Sequence, residues 1–285
     1  MSFVLLSVLC SVLVSVLLKL ARRSGLDVGQ MVAWNYLLAG ALVLLTMQPA
    51  LAPLHQRGAP WPALAGLGVL LPIIFLALGA SVRHAGIVRS DVAQRLSLLL
   101  SLLAAFVLFG QALTTTKAAG IALGLAALAA LVWRNTPEAR AEGAAAWLYP
   151  LAVFAGFGAI DILFKQVAAA GVPLGTSLLA MFALSLVVAF ALLSVRVARG
   201  LARLDLRSLG AGLLLGLFNF GNILFYLRAH RALPHDPALV FASMNLGVVA
   251  LGTVVGVLGF RERLSGINVA GLALAVVAIG LLARG

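Results

Sequence analysis

The sequence predicts an all-α membrane protein of ten transmembrane helices arranged as two inverted five-helix repeats. Three observations carry this. The chain is 63% hydrophobic and 10% charged, with a mean hydropathy of +1.14; too few polar residues are present to coat a soluble domain of 285 residues. About ten apolar segments are long enough to cross roughly 30 Å of hydrocarbon as helices. The chain also repeats itself. FGQALTTTKAAG at 109–120 is echoed by FRERLSGINVAG at 260–271, and SVLLKLARRSG at 15–25 by DILFKQVAAAG at 161–171. Both pairs are separated by roughly half the chain, as expected of a duplicated unit of about five hydrophobic segments. A unit with an odd number of crossings enters the bilayer the other way up in its second copy.

The ten segments are expected at 2–20, 31–49, 62–82, 90–110, 117–133, 145–168, 174–195, 208–228, 237–259 and 265–283. Residues 1–135 form the first repeat, 136–144 a linker and 145–285 the second repeat. The first segment has the length of a signal peptide, but no basic residue precedes it and no small-residue cleavage site follows it. Lys19, Arg22 and Arg23 follow instead, so it is expected to stay as the first helix. Pro72 falls inside the third segment, where it removes a backbone hydrogen bond and introduces a bend. Gly120 and Gly124, Gly212 and Gly216, and Gly252 and Gly256 are small-xxx-small pairs suited to close helix contact within the chain. The chain is compatible with a monomer or a homodimer.

The formal net charge of +12 does not indicate nucleic acid. The basic residues are spread over short loops without an aromatic-interleaved patch, which suits topology signalling and contact with anionic lipid head groups. Alternate loops hold about 13 Lys and Arg on the side of Lys19, Arg22, Arg23, Arg83, Arg89, Arg196, Arg199, Arg203 and Arg207, against about five on the other. By the positive-inside rule the richer side is cytoplasmic and both termini lie outside. Cys10 is the sole cysteine and lies in an apolar run, so neither a disulfide framework nor a thiolate metal centre is expected. His55, His84, His230 and His235 lie at loops or helix ends, His84 and His230 at corresponding ends of the two copies, and read as interfacial features. With no helical zinc motif, phosphate-binding glycine loop or nucleophile elbow, an enzyme is not expected, nor is a metal or cofactor.

The helical plan, the paired segments at 109–120 and 260–271 and the phrase GFRERLS resemble the drug/metabolite transporter superfamily, in particular its bacterial EamA-type members with a duplicated domain. The likeness spans the chain. It implies a multi-pass protein of the bacterial inner membrane that carries a small molecule, and it leaves the substrate open, because the superfamily handles many chemistries. Two features depart from the family pattern. The usual Gly-Glu at the end of the fourth helix reads Gly110-Gln111, while Glu262 keeps an acid in the second copy after Arg261. The family expectation of cytoplasmic termini also opposes the charge count.

Candidate site residues follow from the cost of polarity in hydrocarbon. An ionisable group near the bilayer centre costs about 2.5–3.5 kcal/mol on insertion scales, so those retained tend to line a cavity or pair with one another. Asp91 and Arg95 are four apart on one face near the start of the fourth helix, beside Gln94. Asn245 matches Gln94 in the second copy, and two polar groups at pseudo-symmetric places point to a substrate site. Asp161 and Lys165 form a second pair four apart; Lys165 is expected to snorkel, and Asp161 is the candidate for proton coupling, against a static salt bridge. Trp34, Asn35 and Tyr36 crowd the second helix, where the two aromatic residues also suit an interfacial belt. Asn219, Asn222 and Tyr226 form a stripe in the eighth. The expected function is a secondary transporter moving a small metabolite or drug-like molecule by alternating access. A flippase for lipid-linked sugars, which needs a lateral opening, and a membrane scaffold subunit are the alternatives.

Overall fold

The computed structural model describes residues 1–56, 58–85, 87–132, 144–260 and 265–284, without the side chains of Arg22, Arg83, 87–89, Asp91, 131–132, Ala146 and Phe260. Arg261, Glu262 and the linker up to residue 143 lie outside the described residues. The described chain contains α1 (Ser2–Arg23), α2 (Val28–Met47), α3 (Trp61–Ala85), α4 (Ile87–Val107), α5 (Thr115–Val132), α6 (Ala145–Ala169), α7 (Leu174–Ala198), α8 (Leu206–Ala232), α9 (Pro237–Phe260) and α10 (Gly266–Arg284), plus a short 3₁₀ turn, Ala52–His55. No strand occurs among the described residues. The protein is an all-α, multi-pass membrane protein.

Eight of these helices hold continuous apolar spans of membrane length. In α4 and α5 the apolar part shortens to Val92–Val107 and Thr115–Ala130, because α4 begins with Arg89, Ser90 and Asp91 and α5 with Thr115, Thr116 and Lys117. The fourth helix stops at Val107, short of the expected residue 110. Gly110 lies beyond it at φ +65°, a left-handed conformation that glycine adopts without the Cβ clash. Gly25 and Gly171, equivalent in the internal repeat, also have positive φ, +67° and +74°, just past α1 and α6. Pro72 sits inside α3 without ending it, and α6 likewise runs through Pro150.

The chain forms two compact units that do not follow the division of the sequence into halves. Unit 1 comprises Met1–Val8, Ala77–Ile162 and Ala232–Gly285; unit 2 comprises Leu9–Leu76 and Leu163–Arg231. Within unit 1, α5 packs along α10 and α4 against α9. A Cβ on Gly120 would meet Leu282 at 2.9 Å, and one on Gly124 would meet Ala278 at 3.7 Å, so the glycine pair sets a close antiparallel contact.

Within unit 2, α2 packs along α7. A Cβ on Gly175 would touch Met47, and Asp27 pairs with Arg196, so these two helices also run antiparallel. The other glycine pair holds α8 on α2: Cβ atoms on Gly212 and Gly216 would fall 2.7 Å from the Met31 carbonyl and 2.6 Å from the Asn35 carbonyl. Residue numbers rise together along this contact, so α8 runs parallel to α2. Met31, Val14, Ala21 and Leu215 are buried together in the core of this unit. Gly252, by contrast, has open space where a Cβ would stand, and the close contact expected there is not made.

Candidate functional site

Polar side chains in unit 2 fall into two groups that differ in what they bond. The first is at the shared end of α2, α7 and α8. Asp27 caps α2, accepting from the Gln30 backbone N–H at 2.8 Å, and takes both guanidinium nitrogens of Arg196 at 2.8 Å each. Its own backbone N–H donates to Ser208 Oγ at 3.0 Å. Gln30 bridges to the loop before α8, donating to the Asp205 carbonyl at 2.8 Å and accepting from the Asp205 N–H at 3.1 Å. Gly29 makes the arrangement possible, since a Cβ there would overlap the Arg196 guanidinium. Partial burial alone would raise the Asp27 pKa; the bonds from Arg196 and Gln30 and the Arg196 charge outweigh it and hold the carboxyl below its ordinary value. The Asp205 carboxylate is also held low, chiefly by the Ser208 hydroxyl and backbone N–H.

The second group lies at the helix centres. Asn35 and Tyr36 fall near the middle of Val28–Met47, Ser185 near the middle of Leu174–Ala198 and Asn219 at the middle of Leu206–Ala232. The contact of Gly216 with Asn35 brings Asn219 to the level of the α2 midpoint, and the antiparallel register of α2 and α7 brings Ser185 there too. Asn35, Tyr36 and Ser185 have no exposed surface, and Asn219 is 4% exposed. Asn35 Oδ1, Tyr36 Oη, Ser185 Oγ and Asn219 Nδ2 make no hydrogen bond to the described residues. The Asn35 amide reaches only the Val32 carbonyl, at 3.5 Å. Trp34 is less buried and stands edge-on to Phe190 with centroids 5.2 Å apart; its indole N–H is likewise without an acceptor.

Lys165, expected to snorkel, is 4% exposed and buried within unit 2. Its position in α6 precedes Ala169 by a full turn, which leaves the side chain inside the packed helix rather than at its rim. It lies within electrostatic range of His230. His230 stands at a helix end as expected, yet it is 1% exposed rather than interfacial, its ring edge-on to Tyr226 at 4.8 Å. Tyr226 in turn meets Phe164 edge-on at 5.7 Å. The four-residue spacing of Tyr226 and His230 is the sequence signal that joins the histidine to the Asn219, Asn222 and Tyr226 stripe. Asn222 is half-buried on α8.

In unit 1, Asp161 accepts from Ser101 Oγ of α4 at 2.7 Å. Gln94 and Arg95 lie half-buried on α4, and Asn245, on the partner helix α9, donates to the Phe241 carbonyl one turn back at 3.1 Å. The Asp91 side chain lies outside the described residues. Gln111, which replaces the family's acid, caps α9: its Oε1 accepts from the Ala238 N–H at 2.9 Å while its Nε2 faces Asp236 at 3.4 Å. Asp236 also takes the Lys117 ammonium at 2.7 Å. A glutamate at 111 would set a second carboxylate beside Asp236, so the amide suits this site.

Long apolar helices with polar groups buried at their centres define the class of a multi-pass membrane protein. The EamA-like transporter family model matches residues 1–133, and the chain belongs to that family, within the drug/metabolite transporter superfamily. It is 39% identical over 278 residues to a Haemophilus influenzae protein described as uncharacterized, with 96% of this chain and 94% of that one covered. A crystal structure described only as that of a protein matches with a TM-score of 0.73 at 20% identity, covering 98% of this chain and 96% of its own, which speaks for the fold alone.

Proposed function

We propose that this membrane transporter moves a small metabolite or drug-like molecule across the bacterial inner membrane by alternating access of two inverted repeats, 1–135 and 145–285. The observation that carries the reading is the set of buried polar groups at the helix centres of α2, α7 and α8. In hydrocarbon each such group costs several kcal/mol if nothing satisfies it, so retention of several at one level suits a protein that handles polar solutes there. Pairing supports the duplication: α2 with α7, α4 with α9 and α5 with α10 are each five helices apart, and Gly25 and Gly171 end equivalent helices in the same left-handed conformation. Such internal repeats and midplane sites are the recurring plan of secondary transporters.

The proposed substrate contacts are Gln94, Arg95, Asn245 and Asp91 in unit 1, and Trp34, Asn35, Asn219, Asn222 and Tyr226 in unit 2. Asp161 and Lys165 are the proposed proton-coupling pair. The partners are a small-molecule substrate and the surrounding lipids. The test is a thermal-shift screen of a metabolite panel on the purified protein, followed by flux of each stabilising compound into liposomes with and without a pH gradient. A stabilising compound whose flux accelerates with the gradient supports both carrier and coupling. Flux that ignores the gradient removes the coupling role. Movement of lipid-linked sugars alone replaces the carrier by a flippase.

A further inference from the structure

We propose that the central polar layer of unit 2, formed by Asn35, Tyr36, Ser185 and Asn219, is a binding site for an uncharged hydrogen-bonding group, either water or the hydroxyl or amide of a small solute. The inference rests on the transport reading, which already names Asn35 and Asn219 as substrate contacts, and adds Tyr36, Ser185 and the ligand class from the geometry of unit 2.

The chemistry of the four groups sets the ligand class. Asn35 Oδ1 is an acceptor, Asn219 Nδ2 a donor, and the Tyr36 and Ser185 hydroxyls are both. All four are at least nine-tenths buried and make no hydrogen bond to the described residues. A molecule that both donates and accepts, such as water, an alcohol or a primary amide, matches this mixed set of donors and acceptors. Buried polar groups in proteins are satisfied by protein or by bound molecules in the great majority of cases, and enclosed waters typically make about three hydrogen bonds to such groups.

A second observation lies one turn away on the same helices. A cavity of about 10 Å³ is lined by Val32 and Ala189, one turn from Tyr36 and Ser185, together with Gly29, Pro72, Leu193 and Arg196. That is about the space of one water molecule. Packing along the α2–α7 seam is therefore loose at the scale of a water between the Asp27–Arg196 pair and the central layer. At α3, Pro72 borders the same cavity and has no N–H to donate to the preceding turn, which leaves a backbone acceptor on this side of the unit.

The test compares thermal unfolding of the detergent-solubilised protein with that of Tyr36→Phe, Asn219→Leu and the double variant, each with and without acetamide as an amide probe. If the layer holds a bound group, Tyr36→Phe lowers the melting temperature by about 2–4 °C, although the atom it removes has no partner among the described residues. The double variant then loses less than the sum of the singles, because both side chains bond one molecule. Acetamide that stabilises the native chain more than Tyr36→Phe assigns the site to a solute amide; equal response assigns it to water. An unchanged or raised melting temperature for Tyr36→Phe overturns the proposal, since removing a hydroxyl from a dry apolar site relieves a cost. Should the variants fail to fold, a high-resolution map of the native protein decides: density bridging Tyr36 Oη to Asn35, Ser185 or Asn219 upholds the site, and a dry layer overturns it.

Discussion

The end of unit 2 and its middle use similar polar residues to opposite effect. At the end, Asp27 accepts from Gln30 and from both arms of Arg196, and Gln30 closes a reciprocal pair with Asp205. At the middle, Asn35, Tyr36, Ser185 and Asn219 are more deeply buried, yet each keeps a polar atom with no partner among the described residues. Where water is nearby, the fold spends its polar groups on holding helices together. Where water is scarce and an unmet group costs most, it leaves them open, and a fold selected for stability alone would place apolar residues there. Under the proposed binding role, the difference separates residues that build the unit from residues kept for something it binds.

Five measurements sharpen this contrast, from the largest expected effect downward. Replacing Gly212 by Val drives a branched side chain into the Met31 backbone, where the present Cβ position already falls 2.7 Å from a carbonyl oxygen that cannot swing away. The expected loss is about 1–3 kcal/mol or more in denaturant unfolding, as for overpacking in general. A stability equal to the native chain would show that α8 can move off α2. Arg196→Ala removes the guanidinium from a carboxylate that is 20% exposed. Losing both charged donors while the Gln30 N–H remains is expected to cost about 1–3 kcal/mol, and Asp27→Asn introduced alongside should return part of the loss. Gly29→Ala is predicted to act in the same direction by pushing the guanidinium aside.

Lys117→Met in unit 1 should cost less, about 0–1 kcal/mol, because its partner Asp236 is 37% exposed and water takes over the carboxylate. A loss as large as that of Arg196→Ala would place this pair in the same structural role. The smallest effect concerns pH. Asp27 has a depressed pKa, so its contribution is complete above the ordinary carboxylate value of 3.8 and disappears only as pH falls through the lower folded-state value. Between pH 7 and 5 the native chain and Asp27→Asn should therefore show a constant difference in melting temperature. A difference that shrinks across that range would mean that the carboxyl titrates there and is not held by Arg196.

Much of the fold was legible in the sequence because two signals are local. Apolar runs bounded by charge located every helix to within a few residues, and the equivalence of Gly25 with Gly171 was visible as a repeated glycine after a repeated pattern. The grouping of α2 with α7 and α8, and of α4 and α5 with α9 and α10, was not legible, since nothing in a span of leucines and alanines names its neighbour. The site was readable in kind only. Trp34, Asn35, Asn219 and Tyr226 stood out as polar or aromatic residues within apolar helices, whereas Ser185 did not, being a common residue of such helices. Asp27 and Arg196 sit in loop-flanking positions that sequence reading treats as topology signals, and their pairing depends on Gly29 at a place where one missing Cβ decides the contact. Closeness to a helix end suggests snorkelling for Lys165 and an interfacial place for His230, but it does not measure closeness to solvent, and both are enclosed within unit 2.

The most direct test of the account is solute flux in liposomes containing the purified protein. The account predicts saturable movement of at least one small polar metabolite above that of protein-free vesicles, with the rate reduced in Asn219→Leu while that variant remains folded. A chain that moves no member of a broad metabolite panel, in either direction and under either pH gradient, would contradict it.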